Sequence, residues 1–323
     1  MPDNYAVDMP AIEQAYDRIK DHVHRTPVIT CRALDEMAGC QLFFKCENLQ
    51  KVGAFKFRGA TNAVLSLDDQ QARSGVVTHS SGNHAQAVAL AAAQRGIPAH
   101  IVMPTSAPEV KRQAVEGYGA RVISCEPTLQ ARESTAAEVL LETGAEFIHP
   151  YDDARVIAGQ GSVALELLEQ APGLDMIITP VGGGGLLSGT AIVCRERAPQ
   201  LQVLAAEPAG ADDAFRSLAA GQLIPQTGPL TIADGLLTSL GDLTWPIIRD
   251  HVKQIVLVDD QAIISAMKLI WQRAKLVVEP SGAVPLAAVL GTDFPGRHKD
   301  LRVGIVLSGG NVDLNRLPWQ ELD

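Results

Sequence analysis

Lys56 stands between Phe55 and Phe57, just behind Gly53 and Ala54. Aromatic neighbours can bury an amine, depress its pKa and make it a nucleophile toward a carbonyl, although most lysines are simply solvated. A second candidate is the run Gly182, Gly183, Gly184, Gly185 and Leu186, between a strand-like and a helix-like segment. Consecutive glycines ahead of a helix N-terminus offer bare N–H groups to a phosphate. The loop lacks the G-K-[ST] ending of a nucleotide P-loop. A dinucleotide site is a closer rival, because Gly183, Gly185 and Ser188 nearly match G-x-G-x-x-G and Glu207 ends the next strand. A tight strand–helix turn would also use glycines.

Ser80, Ser81, Gly82, Asn83 and His84 form a third group, with hydroxyls, an amide and a helix start that suit a carboxylate. An ordinary N-cap is the plain alternative. Ser308, before Gly309, Gly310 and Asn311, puts a hydroxyl at a strand's carboxyl end, where open α/β sheets bind ligands. The stretch Glu207 to Asp213 gathers carboxylates and a carbonyl-rich turn, an oxygen donor set suited to Mg²⁺ or Ca²⁺. Asp212 and Asp213 would equally suit the first turn of a helix.

These residues need elements to hold them. Asp8 and Pro10 open an amphipathic helix in which Ile12, Ala15, Tyr16, Ile19 and Val23 recur at helical spacing until Pro27. Short apolar runs then alternate with helical patterns: 42–46, 76–79, 100–103, 122–125, 176–179, 203–206, 255–258 and 303–307. That rhythm predicts an α/β fold with open parallel sheets. The stretch from Gly75 to Pro150 reads as four strand–helix units. The expected division is a discontinuous large domain, 1–70 with 151–323, and a small domain, 71–150.

A length of 323 residues suits two domains, and 46% hydrophobic with 20% charged residues is a soluble globular composition. The net charge of −10 and 4% aromatics argue against nucleic acid as a partner. Five scattered cysteines without a C-x-x-C pair suggest a reduced, cytoplasmic setting. The most apolar window, Ala85 to Ala93, is too short for a membrane span.

Gly53-Ala54-Phe55-Lys56-Phe57-Arg58-Gly59-Ala60, Ser80 to His84, Gly182 to Leu186 and Ser308 to Asn311 stand in order along the chain. With them the sequence resembles the fold type II pyridoxal phosphate enzymes, specifically the serine racemase and serine/threonine dehydratase family, over essentially its whole length. The resemblance implies two α/β domains with the cofactor in the cleft and Lys56 holding it covalently. Phe55 and Asn83 would contact its ring, Gly182 to Leu186 its phosphate, and Ser308 its pyridine nitrogen. It implies elimination of water from a β-hydroxy amino acid, with Lys56 as the base and Ser80, Ser81, Asn83 and His84 holding the substrate. Ser81 as a second catalytic residue keeps serine racemase open as an alternative.

Arg132, with Lys111 and Ser239 nearby, aligns with the substrate's distal group, which points to 3-hydroxyaspartate beside serine and threonine; a solvated helix face is an equal reading for Arg132. Glu207, the Ala211 carbonyl and Asp213 match the family's site for Mg²⁺, Ca²⁺ or Mn²⁺. A homodimer is implied too. Lys51, Tyr118 and Asn311 match a nucleotide effector site, but Cys31 and Arg32 replace expected hydroxyl residues, which counts against nucleotide activation. A nicotinamide-dependent oxidoreductase and a catalytically silent amino-acid-binding protein are the rivals from other classes.

Overall fold

Apolar runs buried on both faces become parallel strands flanked by helices. The computed structural model describes residues 5–320. Helix α1 (Met9–Ile19) starts as expected, with the Asp8 carboxylate accepting from the Ala11 N–H at 2.9 Å and Pro10 in the first turn. It ends at Ile19, well before Pro27. Val23 extends the buried stripe from a turn, its N–H still donating to the Ile19 carbonyl.

Strand β1 (Val28–Ile29), α2 (Arg32–Ala38), β2 (Gln41–Cys46), α3 (Lys56–Leu65) and α4 (Asp69–Ser74) follow. Next come β3 (Val76–His79), α5 (Asn83–Arg95), β4 (Ala99–Pro104), α6 (Glu109–Gly117), β5 (Arg121–Cys125), α7 (Leu129–Thr143) and β6 (Glu146–Phe147). The chain continues through α8 (Ala154–Gln170), β7 (Met176–Pro180), α9 (Gly185–Arg197), β8 (Gln202–Pro208), α10 (Asp213–Ala220) and α11 (Thr244–His251). It closes with β9 (Gln254–Val258), α12 (Asp260–Leu269), α13 (Pro280–Leu290) and β10 (Arg302–Leu307).

Strands β3 to β6 form a four-stranded sheet in the order β5-β4-β3-β6, and the others a six-stranded sheet in the order β1-β2-β10-β7-β8-β9. All pairs are parallel except β1 with β2. Each of the eight apolar runs lies within a strand. Between residues 75 and 150 there are four strands but three helices. The helix after β6 is α8, which packs on α3 and α9 and so returns the chain to the larger sheet.

Candidate active site

The approach to Lys56 is a tight reversal. Val52 and Gly53 both take left-handed backbone, at φ 54° and 71°, and a Cβ on Gly53 would lie 2.6 Å from Asn311 Oδ1. The turn lets Ala54 bridge to Gly309, while the Phe55 N–H donates to the Ser308 carbonyl at 3.0 Å. Lys56, the first residue of α3, is thereby fixed beside the carboxyl end of β10, where Ser308 is 4% exposed. Its Nζ donates to the Pro150 carbonyl at 2.7 Å and lies 5.2 Å from the Phe55 ring centre and 6.0 Å from that of Tyr151. Burial with no facing carboxylate pushes the amine down to about 8, as a nucleophile needs.

Gly182 to Leu186 are buried between β7 and α9, and no side chain caps that helix. Gly184 has φ 92°, and a Cβ there would lie 2.7 Å from Ile248 Cδ1, while one on Gly183 would run into the Tyr151 ring. The Gly183 carbonyl is turned away to accept from Thr244 Oγ1 at 2.8 Å. A side-chain-free loop at an uncapped helix start is a cradle for a phosphate.

From the smaller sheet, Ser80 to Asn83 link β3 to α5. Ser80 Oγ accepts from the Gly82 N–H at 3.3 Å, and Ser81 is half-buried. Asn83 reaches the larger sheet: its Nδ2 donates to Glu279 Oε1 and its Oδ1 accepts from Asn311 Nδ2, each at 2.8 Å. The His84 ring lies inside, 2% exposed, with Nε2 3.1 Å from the Ile148 carbonyl, and burial beside Lys56 holds its pKa well below the usual range. Its side chain serves the interior, leaving the backbone at the helix start for a ligand.

The side chains of the remaining predicted residues bond outside this set. Arg132, half-buried on α7, donates back to the carbonyl of the N-cap residue Thr128, and burial, with the Arg132 charge added, holds the His79 ring below its ordinary pKa. Ser239 Oγ accepts from the Gln226 N–H at 2.8 Å, and Lys111 pairs with Asp234 at 2.7 Å. Glu207 and Asp213 are both 1% exposed. The Glu207 carboxylate accepts from the Ala214 and Phe215 N–H groups, and Asp213 Oδ2 from that of Leu240. Among the described residues no three His, Cys, Asp or Glu side chains cluster as a metal site. The oxygen donors at Glu207, Ala211 and Asp213 nonetheless suit a hard cation.

Two contributors were missed. His149, Pro150 and Tyr151 cross the site between β6 and α8: Pro150 accepts from Lys56, and Tyr151 lies against Gly183 with its hydroxyl paired to Thr238. Glu279, ahead of α13, accepts from Asn83 and from the Asn311 N–H, and burial with Asp234 nearby pushes it up to about 7. Its one sequence signal is an acid followed by Pro280 at the end of an apolar run, which marks a helix start.

A half-buried amine at a helix start, a side-chain-free glycine loop after β7 and a hydroxyl after β10 are groups that would suit the cofactor of a fold type II pyridoxal phosphate enzyme. The model of the family described as pyridoxal-phosphate dependent enzyme matches residues 19–309, and the chain belongs to that family. It is 53% identical over 305 residues to the β-hydroxyaspartate dehydratase of Paracoccus denitrificans (strain Pd 1222), covering 94% of this chain and 96% of that one. To the serine racemase of Arabidopsis thaliana it is 54% identical over 318 residues, covering 98% and 96%. Its fold superposes on the solved maize serine racemase with a TM-score of 0.95 at 52% identity, covering 96% and 95%. The nicotinamide reading of the glycine loop falls with the family match.

Proposed function

We propose that the protein is a pyridoxal phosphate-dependent dehydratase, an ammonia-lyase that removes water from 3-hydroxyaspartate, serine or threonine to give a 2-oxo acid and ammonia. The observation that carries this reading is the Lys56 amine, lowered to about 8 and held at the strand edge beside the glycine cradle. The likeness to a β-hydroxyaspartate dehydratase favours the dicarboxylate among these substrates.

The cofactor, when bound, supplies an electron sink for the charge left at the substrate's α-carbon. Lys56 holds it and, once released, takes the α-proton, an amine near pKa 8 being a competent base close to neutral pH. Gly182 to Leu186 hold the phosphate, Phe55 and Asn83 bound the ring, and Ser308 offers its nitrogen a neutral hydroxyl. Ser80, Ser81 and the N–H groups opening α5 bind the α-carboxylate, and Arg132 and Ser239 the distal group. Loss of the β-hydroxyl as water leaves an enamine that hydrolyses to the 2-oxo acid and ammonia. Glu207, Ala211 and Asp213 hold a divalent cation, Mg²⁺, Ca²⁺ or Mn²⁺, remote from this chemistry. We take the enzyme to be a cytoplasmic homodimer with a large domain of 1–70 and 151–323 and a small one of 71–150.

Lys56→Ala should abolish both 2-oxo acid formation and the visible absorbance of attached cofactor, and retained turnover would overturn the scheme. Serine racemase activity is the second reading, favoured by the half-buried Ser81 and by relatives of that name. L-Serine incubated in heavy water should give pyruvate; deuterated D-serine formed faster would put the racemase first. Arg132→Ala should cost more on 3-hydroxyaspartate than on serine, and equal losses would remove Arg132 from substrate recognition.

A further inference from the structure

Two residues after Lys56 lies a buried charge cluster that the chemistry above does not use. Arg58, Lys45 and Glu47 are 0% exposed and Glu166 is 1% exposed, two cations with two anions. Arg58 grips both acids: Nε and Nη2 donate to Glu47 at 2.8 and 2.9 Å, and Nη1 and Nη2 to Glu166 at 2.8 Å each. Nη1 also donates to Ser162 Oγ, and Nη2 to the His24 carbonyl, both at 3.2 Å. Lys45 Nζ completes the cluster, donating to Glu166 at 2.6 Å, the Thr26 carbonyl at 2.7 Å and Gln170 at 2.9 Å.

The cluster ties β2, α3 and α8 together behind the site. Where α3 crosses α8 the backbones nearly touch: a Cβ on Gly159 would lie 2.7 Å from the Arg58 carbonyl, and one on Gly59 would strike Gln160. The glycines permit close approach, and the Gly59 N–H donates to Gln160 Oε1 at 3.2 Å and Asn62 Nδ2 to the Arg155 carbonyl at 2.7 Å, each a single bond that leaves rotation about it open. Two bidentate forks fix rotation and sliding, because each accepts only one plane and direction. Positions 56 and 58 are about 200° apart around a helix, so Arg58 anchors the back of α3 while Lys56 faces the cleft. Buried ion pairs are seldom more stabilising than apolar side chains of equal volume, so position is the better reason for such a cluster.

We propose that Arg58, held by Glu47 and Glu166, is a positioning residue that sets the rotation of α3 and thereby the place of the Lys56 amine. The inference rests on Lys56 as the cofactor-binding amine. Two variants test it: Arg58→Lys, which keeps the charge but loses the forks, and Arg58→Met with Glu47→Gln, which removes one charge of each sign and leaves Lys45 with Glu166. Each is compared with wild type for melting temperature, kcat, KM, and the rate at which the visible band grows when pyridoxal phosphate is added to cofactor-free protein.

The expected result is folded protein whose band grows at least tenfold more slowly and whose kcat falls at least tenfold at nearly constant KM, a misplacement of about 1 Å being enough for losses of that order or larger. Band growth and kcat equal to wild type, or falling only with the folded fraction, would overturn it. Failure of both variants to fold would overturn it as well, since the cluster would then hold the fold and not the amine. If wild type itself shows no band, the assignment of Lys56 fails first, and the two failures are told apart.

Discussion

Glu47 and Glu207 are both carboxylates closed off from water, yet their surroundings drive them in opposite directions. Burial pushes the Glu47 carboxyl up, but Arg58, Lys45 and the Thr26 hydroxyl outweigh it and hold the group below its ordinary range. Around Glu207 there are backbone N–H groups and two further acids, Asp212 and Asp213; burial pushes Glu207 up to about 8 and Asp213 up to about 6. Peptide dipoles at a helix start do not offset the desolvation of a carboxylate, whereas a facing full charge does. The first cluster is complete within the chain. In the second, Arg216 pairs with Asp212 at 2.8 Å, while Glu207 and Asp213 accept from backbone N–H groups.

Removing Arg58 should do the most to erase this contrast. Arg58→Met leaves Glu47 and Glu166 with Lys45 alone and should cost about 3–5 kcal/mol in urea unfolding. Adding Glu47→Gln should return much of the loss, and a single-variant cost below about 1 kcal/mol would mean that the forks hold little. The acid pair comes next. Chelation should lower the melting temperature of wild type and Mg²⁺ or Ca²⁺ should restore it, a cation at a hundred times its Kd adding about 2.7 kcal/mol. Glu207→Gln should abolish the response; no response in wild type would leave the pair complete without a cation.

Lys56 extends the contrast to a base without a facing acid. Its folded pKa of about 8 lies below the ordinary lysine value of 10.5, so the folded chain holds fewer protons than the unfolded one between those values. Stability from this group therefore rises with pH across that window, and its cost is constant below it. Attachment of pyridoxal phosphate needs the free amine, so its rate should climb about tenfold per unit up to about pH 8 and then level. A rise continuing to pH 10 would show that burial has not lowered the group.

Much of this was legible in the sequence because it is local. The eight longer strands contain short, mainly apolar runs, and the glycine loop and Lys56 lie in contiguous motifs. Strands β1 and β6, two residues each, are too short for any period to mark. The apolar pattern of α1 runs past its end at Ile19 because Val23 stays buried without staying helical. Pro150 acts through a carbonyl, which every residue has, and Glu279 is paired to Asn83 across 196 positions. Arg58 was visible in its motif, but its partner Glu166 lies 108 positions on, in a helix whose sequence reads as an ordinary amphipathic one.

The central place of β10 has a consequence for how the molecule is made. It is late in the chain, yet it lies between β2 and β7, which have no direct pairing with each other. As the chain emerges from a ribosome, residues 41–46 and 176–180 must wait with an apolar slot between them until residues 302–307 arrive. The Phe55 contact with Ser308 waits with them. Assembly of the larger sheet is thus a late, long-range event, slow by its topology and open to aggregation or chaperone capture meanwhile. The smaller sheet, built from consecutive strands, has no such delay.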